Sequence, residues 1–314
     1  NTGLSPGEAW KSFKNANDRE FKPGEQILLK SDCTWTGSLS PRGNGTDDSP
    51  IIIGAYGEGA RPVIHGNGQV KAAVYLRNQS NWVIRQLEVT NQAPERGYVH
   101  RGGILVENDN GGVLSNIRIL DNYVHHVTSS FRYAYNFHPH QFGGISVNVN
   151  GLTGTDKYRN VLIEGNRVEN VGRTGIVVWD HIFAKYDEAC TGVRIRKNSV
   201  KDIDSDGILT YGCDGALIEH NVADGCGSYR EDGGFNGSAA IWCTRGSNCI
   251  IQYNEAFNTH MLEGNADGTA FDIDIDAIDC IVQYNYSHDN EGGFVLVCTD
   301  GDNNDYNRNT VVRY

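Results

Sequence analysis

The chain has 314 residues, with 38 glycines, seven prolines, one methionine and a formal net charge of −12. An acidic excess of this size argues against nucleic acid or an anionic membrane surface as partner. No apolar run approaches the roughly 18–20 residues of a spanning helix, and one repeat pattern, running from about residue 50 to the end, indicates a single elongated domain.

The first fifty residues stand outside that pattern. Pro6-Gly-Glu-Ala-Trp-Lys-Ser-Phe13 reads as a short amphipathic helix, and Phe21 to Lys30 as a turn into a first strand. A solenoid needs its end covered to avoid an open sheet edge, so residues 1–50 are expected to form an N-terminal cap with the first strand. The opening Asn-Thr-Gly-Leu-Ser-Pro carries no signal peptide and has the look of a processed or trimmed start. The expected location is secreted or periplasmic.

From residue 51 onward one element recurs. It reads Ile-Arg-Ile-Leu-Asp-Asn ending at Asn122, Val-Leu-Ile-Glu-Gly-Asn at Asn166, Val-Arg-Ile-Arg-Lys-Asn at Asn198 and Ala-Leu-Ile-Glu-His-Asn at Asn221. It returns as Asn-Cys-Ile-Ile-Gln-Tyr-Asn at Asn254 and Asp-Cys-Ile-Val-Gln-Tyr-Asn at Asn285. A period in this range marks a solenoid whose units bury their apolar faces only against one another. Because the units are β-branched and alternating, the coils are strands. The predicted fold is all-β, a right-handed parallel β-helix of about eight coils over residues 51–314. The asparagines are expected to form a buried ladder in the turn after each strand. The chain stops at Thr310-Val-Val-Arg-Tyr314, one residue before the next repeat asparagine is due, so the natural protein is expected to continue.

Each coil also carries a second strand. The series is Gly103-Ile-Leu-Val-Glu107, Gly144-Ile-Ser-Val-Asn148, Gly175-Ile-Val-Val-Trp179, Gly207-Ile-Leu-Thr-Tyr211, Ser238-Ala-Ala-Ile-Trp242, Ala270-Phe-Asp-Ile-Asp274 and Gly293-Phe-Val-Leu-Val297. Alternation turns Ile145, Val147, Ile176, Val178, Ile208, Thr210, Ile241, Phe271, Ile273, Phe294 and Leu296 inward. Eight cysteines allow an oxidising compartment without requiring one. Cys249 and Cys280 fall at the same repeat position, where in-register side chains approach poorly for a disulfide. They are read as buried small hydrophobes.

Several stretches resemble a known family. Gly-Leu-Ser with Ala-Trp-Lys-Ser-Phe near the start, Lys22-Pro-Gly-Glu-Gln-Ile-Leu-Leu-Lys30, Ile53-Gly-Ala-Tyr-Gly-Glu-Gly59 and Gln283-Tyr-Asn-Tyr-Ser-His-Asp-Asn-Glu-Gly-Gly-Phe294 are similar to secreted right-handed β-helix proteins. These belong to the pectate-lyase-like superfamily. The resemblance implies the fold over nearly the whole chain. It also implies a carbohydrate-active protein, a glycoside hydrolase or polysaccharide lyase acting on a polysaccharide or oligosaccharide, without fixing the chemistry.

Outward residues of the second strand give the candidate site. Aligned by sequence, Glu107, Asn148, Trp179, Tyr211, Trp242 and Asp274 form one column with coils about 4.8 Å apart. Aromatic planes beside acids suit a sugar-binding groove, and the alternative is that the Phe131–Phe137 loop covers them. Asp272-Ile-Asp-Ile-Asp276 puts three carboxylates on one face, about 6.5–7 Å apart per step. Like charges this close raise at least one pKa and supply an acid beside a base. That separation lies near the lower edge of the inverting range for glycosidases. The expected catalytic residues are Asp272, Asp274, Asp276 and Asp232, with Glu231 beside the last. Trp179, Asp180, His181, Tyr211, Trp242 and Arg245 are expected to bind substrate.

Two other readings stay open. The aspartates, with Asp300, Asp302 and Asp305 in the acidic loop Asp300–Asp305, have the chemistry of a calcium site. A calcium-dependent polysaccharide lyase would use such a cation and a Lys or Arg base, but no lysine follows Lys201. A non-catalytic glycan-binding solenoid would explain the aromatics alone. The hydrolase reading is preferred, with no cofactor required. His125-His126 and His138-Pro-His140 match no strong metal-ligand spacing.

Overall fold

A computed structural model describes residues 1–133, 138–151, 154–180, 189–234, 236–263, 267–299 and 306–314. The described residues wind into three long parallel sheets, whose inner strands pair with their counterparts one coil before and after, beside a two-stranded parallel sheet of Glu20–Phe21 and Arg42–Gly43. The sheet that will carry the site has eight strands, from Ala72–Arg77 to Gly293–Val297. The asparagine-bearing sheet begins at Gln26–Lys30 and ends at Val311–Arg313. The third runs from Thr34–Thr36 to Tyr286–His288. Alternation sends one file of side chains into the coil, and those files form a single continuous core containing Ile104, Val147, Ile176, Ile208, Ile241 and Ile273.

The repeat asparagines make the expected ladder. In each of Asn122, Asn166, Asn198, Asn221 and Asn254, the backbone N–H and the side-chain Nδ2 both donate to the Oδ1 of the next asparagine at 2.9–3.1 Å. The residue before the asparagine takes a left-handed conformation, as at Lys197 (φ 55) and His220 (φ 56), which turns the chain from one sheet into the next. Cys249 and Cys280 stack in register, buried as free thiols, and Cys243 joins them so that the three sulfurs lie within 4.8 Å of one another.

Three expectations need correction. The predicted helix over Pro6–Phe13 is a single 3₁₀ turn at Pro6–Glu8, and the α-helix lies later, at Lys14–Asp18. The solenoid starts within the segment assigned to the cap, because Gln26–Lys30 and Thr34–Thr36 already pair with Ile51–Tyr56 and Val63–His65. In the last strand, Val295 and Val297 take the register of Phe271 and Ile273, while Phe294 is exposed and Leu296 lies opposite Asp272. A one-residue slip exchanges the two faces, and the glycine pair before Phe294 hid it.

Candidate active site

On the eight-stranded sheet the outward residues form two columns rather than one. The first runs Glu107, Asn148, Trp179, Tyr211, Thr244. The second runs Leu105, Ser146, Val177, Leu209, Trp242, Asp272, Leu296. Trp242 is thus two residues out of the predicted alignment and stands beside Asp272. A two-residue slip preserves the face, so the sequence pattern gave no warning of it.

The aromatics are outward but covered. Trp179 and Trp242 are 3% and 6% exposed, and Tyr211 is half-buried. Tyr211 stacks on Trp179 at 4.1 Å between ring centroids, and His138 stacks on Trp179 at 4.9 Å. His140 meets Trp242 edge-on at 5.3 Å. The cover comes from the 3₁₀ turn Pro139–Gln141, closed by a capping box between His138 and Gln141. Of the predicted covering loop, Phe131 is buried, and residues 134–137 lie outside the described residues. Trp242→Ala is therefore expected to cost stability first, about 3–5 kcal/mol in a denaturant titration, because it empties a filled site.

Three carboxylates gather where this face meets the last coils. Asp272 is 6% exposed, and its buried Oδ1 has no hydrogen-bond partner among the described residues. Burial first, then Asp274, Asp267 and Asp206, push its carboxyl up to about 9. Asp267 opens the strand Asp267–Ile273 in a left-handed conformation (φ 74). Burial, then Asp206 and Asp274, raise it to about 6, against a hydrogen bond from the Ser238 backbone. Burial also raises Asp274, opposed by the backbone N–H of Ile275, the Cys298 thiol and the Arg245 guanidinium. Asp267 and Asp274 are both half-buried and open to solvent on one side. The set thus holds one carboxyl kept neutral, one raised to about 6, and one raised by burial but opposed by a backbone N–H, a thiol and a guanidinium, so the three carboxyls sit in unequal environments of the kind acid–base chemistry uses.

Beneath them lies a fully enclosed ionic group. Asp206 Oδ2 is 2.9 Å from Arg173 Nη1 and 2.7 Å from His140 Nδ1. Its Oδ1 accepts from Trp242 Nε1 at 3.1 Å. Burial and then Arg173 lower His140 to about 4, so the imidazole is neutral. Burial works to raise Asp206, but His140 and Arg173 outweigh it and hold the carboxyl below its usual range.

Other predicted site residues fall elsewhere. The strand ends at Ile273, so Asp276 sits in the following turn (φ 52), 4.0 Å from Arg308 Nη2, and does not continue the row of Asp272 and Asp274. Asp232 projects into solvent with its side chain 99% exposed, while Glu231 beside it holds Arg132 and the Phe131 backbone. Asp180 is 2% exposed at the inward position next to Trp179, with Cys190 Sγ 3.8 Å from its Oδ2. Arg245 follows Thr244 in a left-handed turn near Asp274. His181, Asp300, Asp302 and Asp305 lie outside the described residues. His125 pairs with Glu88 on the third sheet, apart from His138 and His140, so the histidines do not form one cluster.

Sequence reasoning missed Asp267, Asp206, Arg173, His140 and Cys298 as parts of one site. Asp206 and Asp267 each precede a glycine, which reads as turn chemistry. Their approach to Asp274 depends on coil register.

The chain belongs to the right-handed β-helix family: the model described as "Right handed beta helix region" matches residues 62–230. Within that fold it is similar to lacto-N-biosidases. It is 26% identical, over 401 aligned residues, to a lacto-N-biosidase of Bifidobacterium longum subsp. longum, an alignment that takes in all of this chain and 25% of that protein. The crystal structure of a GH136 lacto-N-biosidase from Eubacterium ramulus, a selenomethionine derivative, superposes with a TM-score of 0.87 at 27% identity. That match covers 99% of this chain and 57% of the other. The native form of the same enzyme gives 0.84 at 27% identity, over 94% and 55%. The chain therefore spans a quarter of the curated relative and little more than half of the solved one.

Proposed function

We propose that this chain is the β-helical catalytic part of a glycoside hydrolase acting on oligosaccharides, with Asp267 as general acid and Asp274 as its ionised partner. The observation that carries this reading is the set of three mutually interacting carboxylates at the edge of an aromatic-lined face. Glycosidases need one protonated and one ionised carboxyl across the scissile bond. Asp267, at about 6, is matched to proton transfer near neutrality. Asp272, at about 9 and nearly enclosed, stays neutral and acts as a hydrogen-bond donor beside the pair. Likeness to lacto-N-biosidases over the length of this chain supports the class of reaction and makes a lacto-N-bioside-bearing oligosaccharide the first substrate to try. The protein would meet such a glycan outside the cytoplasm, as a secreted or periplasmic enzyme.

A calcium-dependent lyase remains the competing chemistry, since several aspartates converge. It is disfavoured because a polyuronate would be repelled by the cluster of carboxylates, among which Arg245 is a cation acting on Asp274. Product analysis on a glycan panel, with and without chelator, separates the two. New reducing ends without unsaturation, unaffected by chelator, are the expected result. Unsaturated products, or activity restored to Asp274→Asn by added calcium, would transfer these residues to a metal-assisted elimination.

A further inference from the structure

The enclosed group beneath the carboxylates has no part in the acid–base scheme above, yet it touches the site at one point. Arg173 is 0% exposed and Asp206 and His140 nearly so. Removing a guanidinium and a carboxylate from water costs several kcal/mol per ion, so a pair this deep is retained against a cost that apolar packing would avoid. Its hydrogen-bond assignment follows from chemistry. An ionised carboxylate only accepts, so the proton of His140 lies on Nδ1 and is donated to Asp206 Oδ2 at 2.7 Å. Arg173 Nη2 lies 2.8 Å from the same nitrogen, and Arg173 Nη1 donates to Oδ2 at 2.9 Å. Ser205 Oγ completes that oxygen's shell at 3.1 Å. Three groups therefore fix Oδ2, leaving Oδ1 to receive Trp242 Nε1 at 3.1 Å and the Ala239 N–H at 3.4 Å.

Trp242 is the register neighbour of Asp272 on the adjoining coil. Its indole is thus clamped from below by Asp206 and at the edge by His140. We propose that Asp206, fixed by Arg173 and His140, is a positioning residue for the reaction, pinning Trp242 as the wall of the carboxylate set and supplying the fixed negative charge behind it. This inference rests on the hydrolase reading. Asp206 contributes to the upward displacement of Asp267, Asp272 and Asp274. The other titratable neighbours are Arg173, His140 and Cys226, with Arg96 and Tyr133 acting on Arg173.

The test is the pH dependence of kcat for Asp206→Asn on an aryl lacto-N-bioside. Asparagine keeps an acceptor for Trp242 and removes the charge, so both limbs of the profile are expected to move acidward by about half to one pH unit. Since the single variant strands the buried Arg173 charge, Asp206→Asn/Arg173→Gln, which leaves no unpaired ion, is measured beside it and should move the same way. Trp242→Phe keeps an aromatic ring but loses the N–H, and is expected to lower kcat about tenfold with KM and the limbs little changed. Profiles superimposable on the parent, with kcat of Trp242→Phe unaltered, would overturn the role of Asp206. If Asp274→Asn kept full activity, the hydrolase reading itself would fail, an outcome distinguishable from failure at Asp206 alone.

Discussion

Asp274→Asn and Asp267→Asn are each expected to lower kcat on a lacto-N-bioside by about 100–10,000-fold, the usual scale for losing a general acid or base, with the thermal transition little moved. Both side chains are half-buried at the face and lie outside the core packing. The pH profile should carry their signs. Asp267 works in its protonated form, so the rate falls as pH rises through about 6. Asp274 works ionised, so the rate falls again as acid protonates it. Asp272 gives the contrast: asparagine reproduces the neutral state that burial already imposes. Asp272→Asn should keep turnover within about tenfold of the parent. A loss at Asp272 as deep as at Asp274, with Asp267→Asn fully active, would return the acid to the pair suggested by the Asp-Ile-Asp spacing.

The second large effect falls on stability. Asn198 donates from Nδ2 to the Ile163 carbonyl at 2.9 Å and to Asn221 Oδ1 at 3.0 Å, and its Oδ1 accepts both nitrogens of Asn166 at 2.9–3.0 Å. Asn198→Ala removes all of these and strands the Ile163 carbonyl and the Asn166 N–H in a site 2% exposed. Each buried group left without a partner costs about 1–3 kcal/mol, so a total of about 4 kcal/mol is expected in chemical denaturation. The same change at Asn285, half-buried in the ladder's last described rung, should cost clearly less, because water replaces part of what is lost. Equal losses at the two positions would mean that the ladder does not act through enclosed hydrogen bonds.

How much of this was legible beforehand follows from which distances the chain itself sets. Stacked coils, the asparagine ladder and the inward file from Ile145 to Ile273 were readable because each depends on a local alternation of side chains or on a repeat that returns the same residue to the same place. Asp272 and Asp274 were readable for the same reason, being two residues apart, Asp274 just past the end of the strand that carries Asp272. The site around them was not. Trp242 faces Asp272 instead of extending the Tyr211 column because the coil after Tyr211 reaches its register partner Thr244 in 33 residues where 31 was assumed, the next reaches Asp272 from Trp242 in 30 where 32 was assumed, and period-2 alternation is blind to a shift of two. Asp276 left the row because the strand stops at Ile273, a boundary that three alternating aspartates conceal. Asp206, Arg173 and His140 come from three different coils, and only the stacking of those coils into one buried layer makes a charge pair and an imidazole into a single unit. Sequence alone determined the solenoid, its faces and the acidic character of one of them. Tertiary structure decided which carboxylates share a field and which aromatics are covered, because those depend on register and burial across coils that the chain reaches only after some thirty residues.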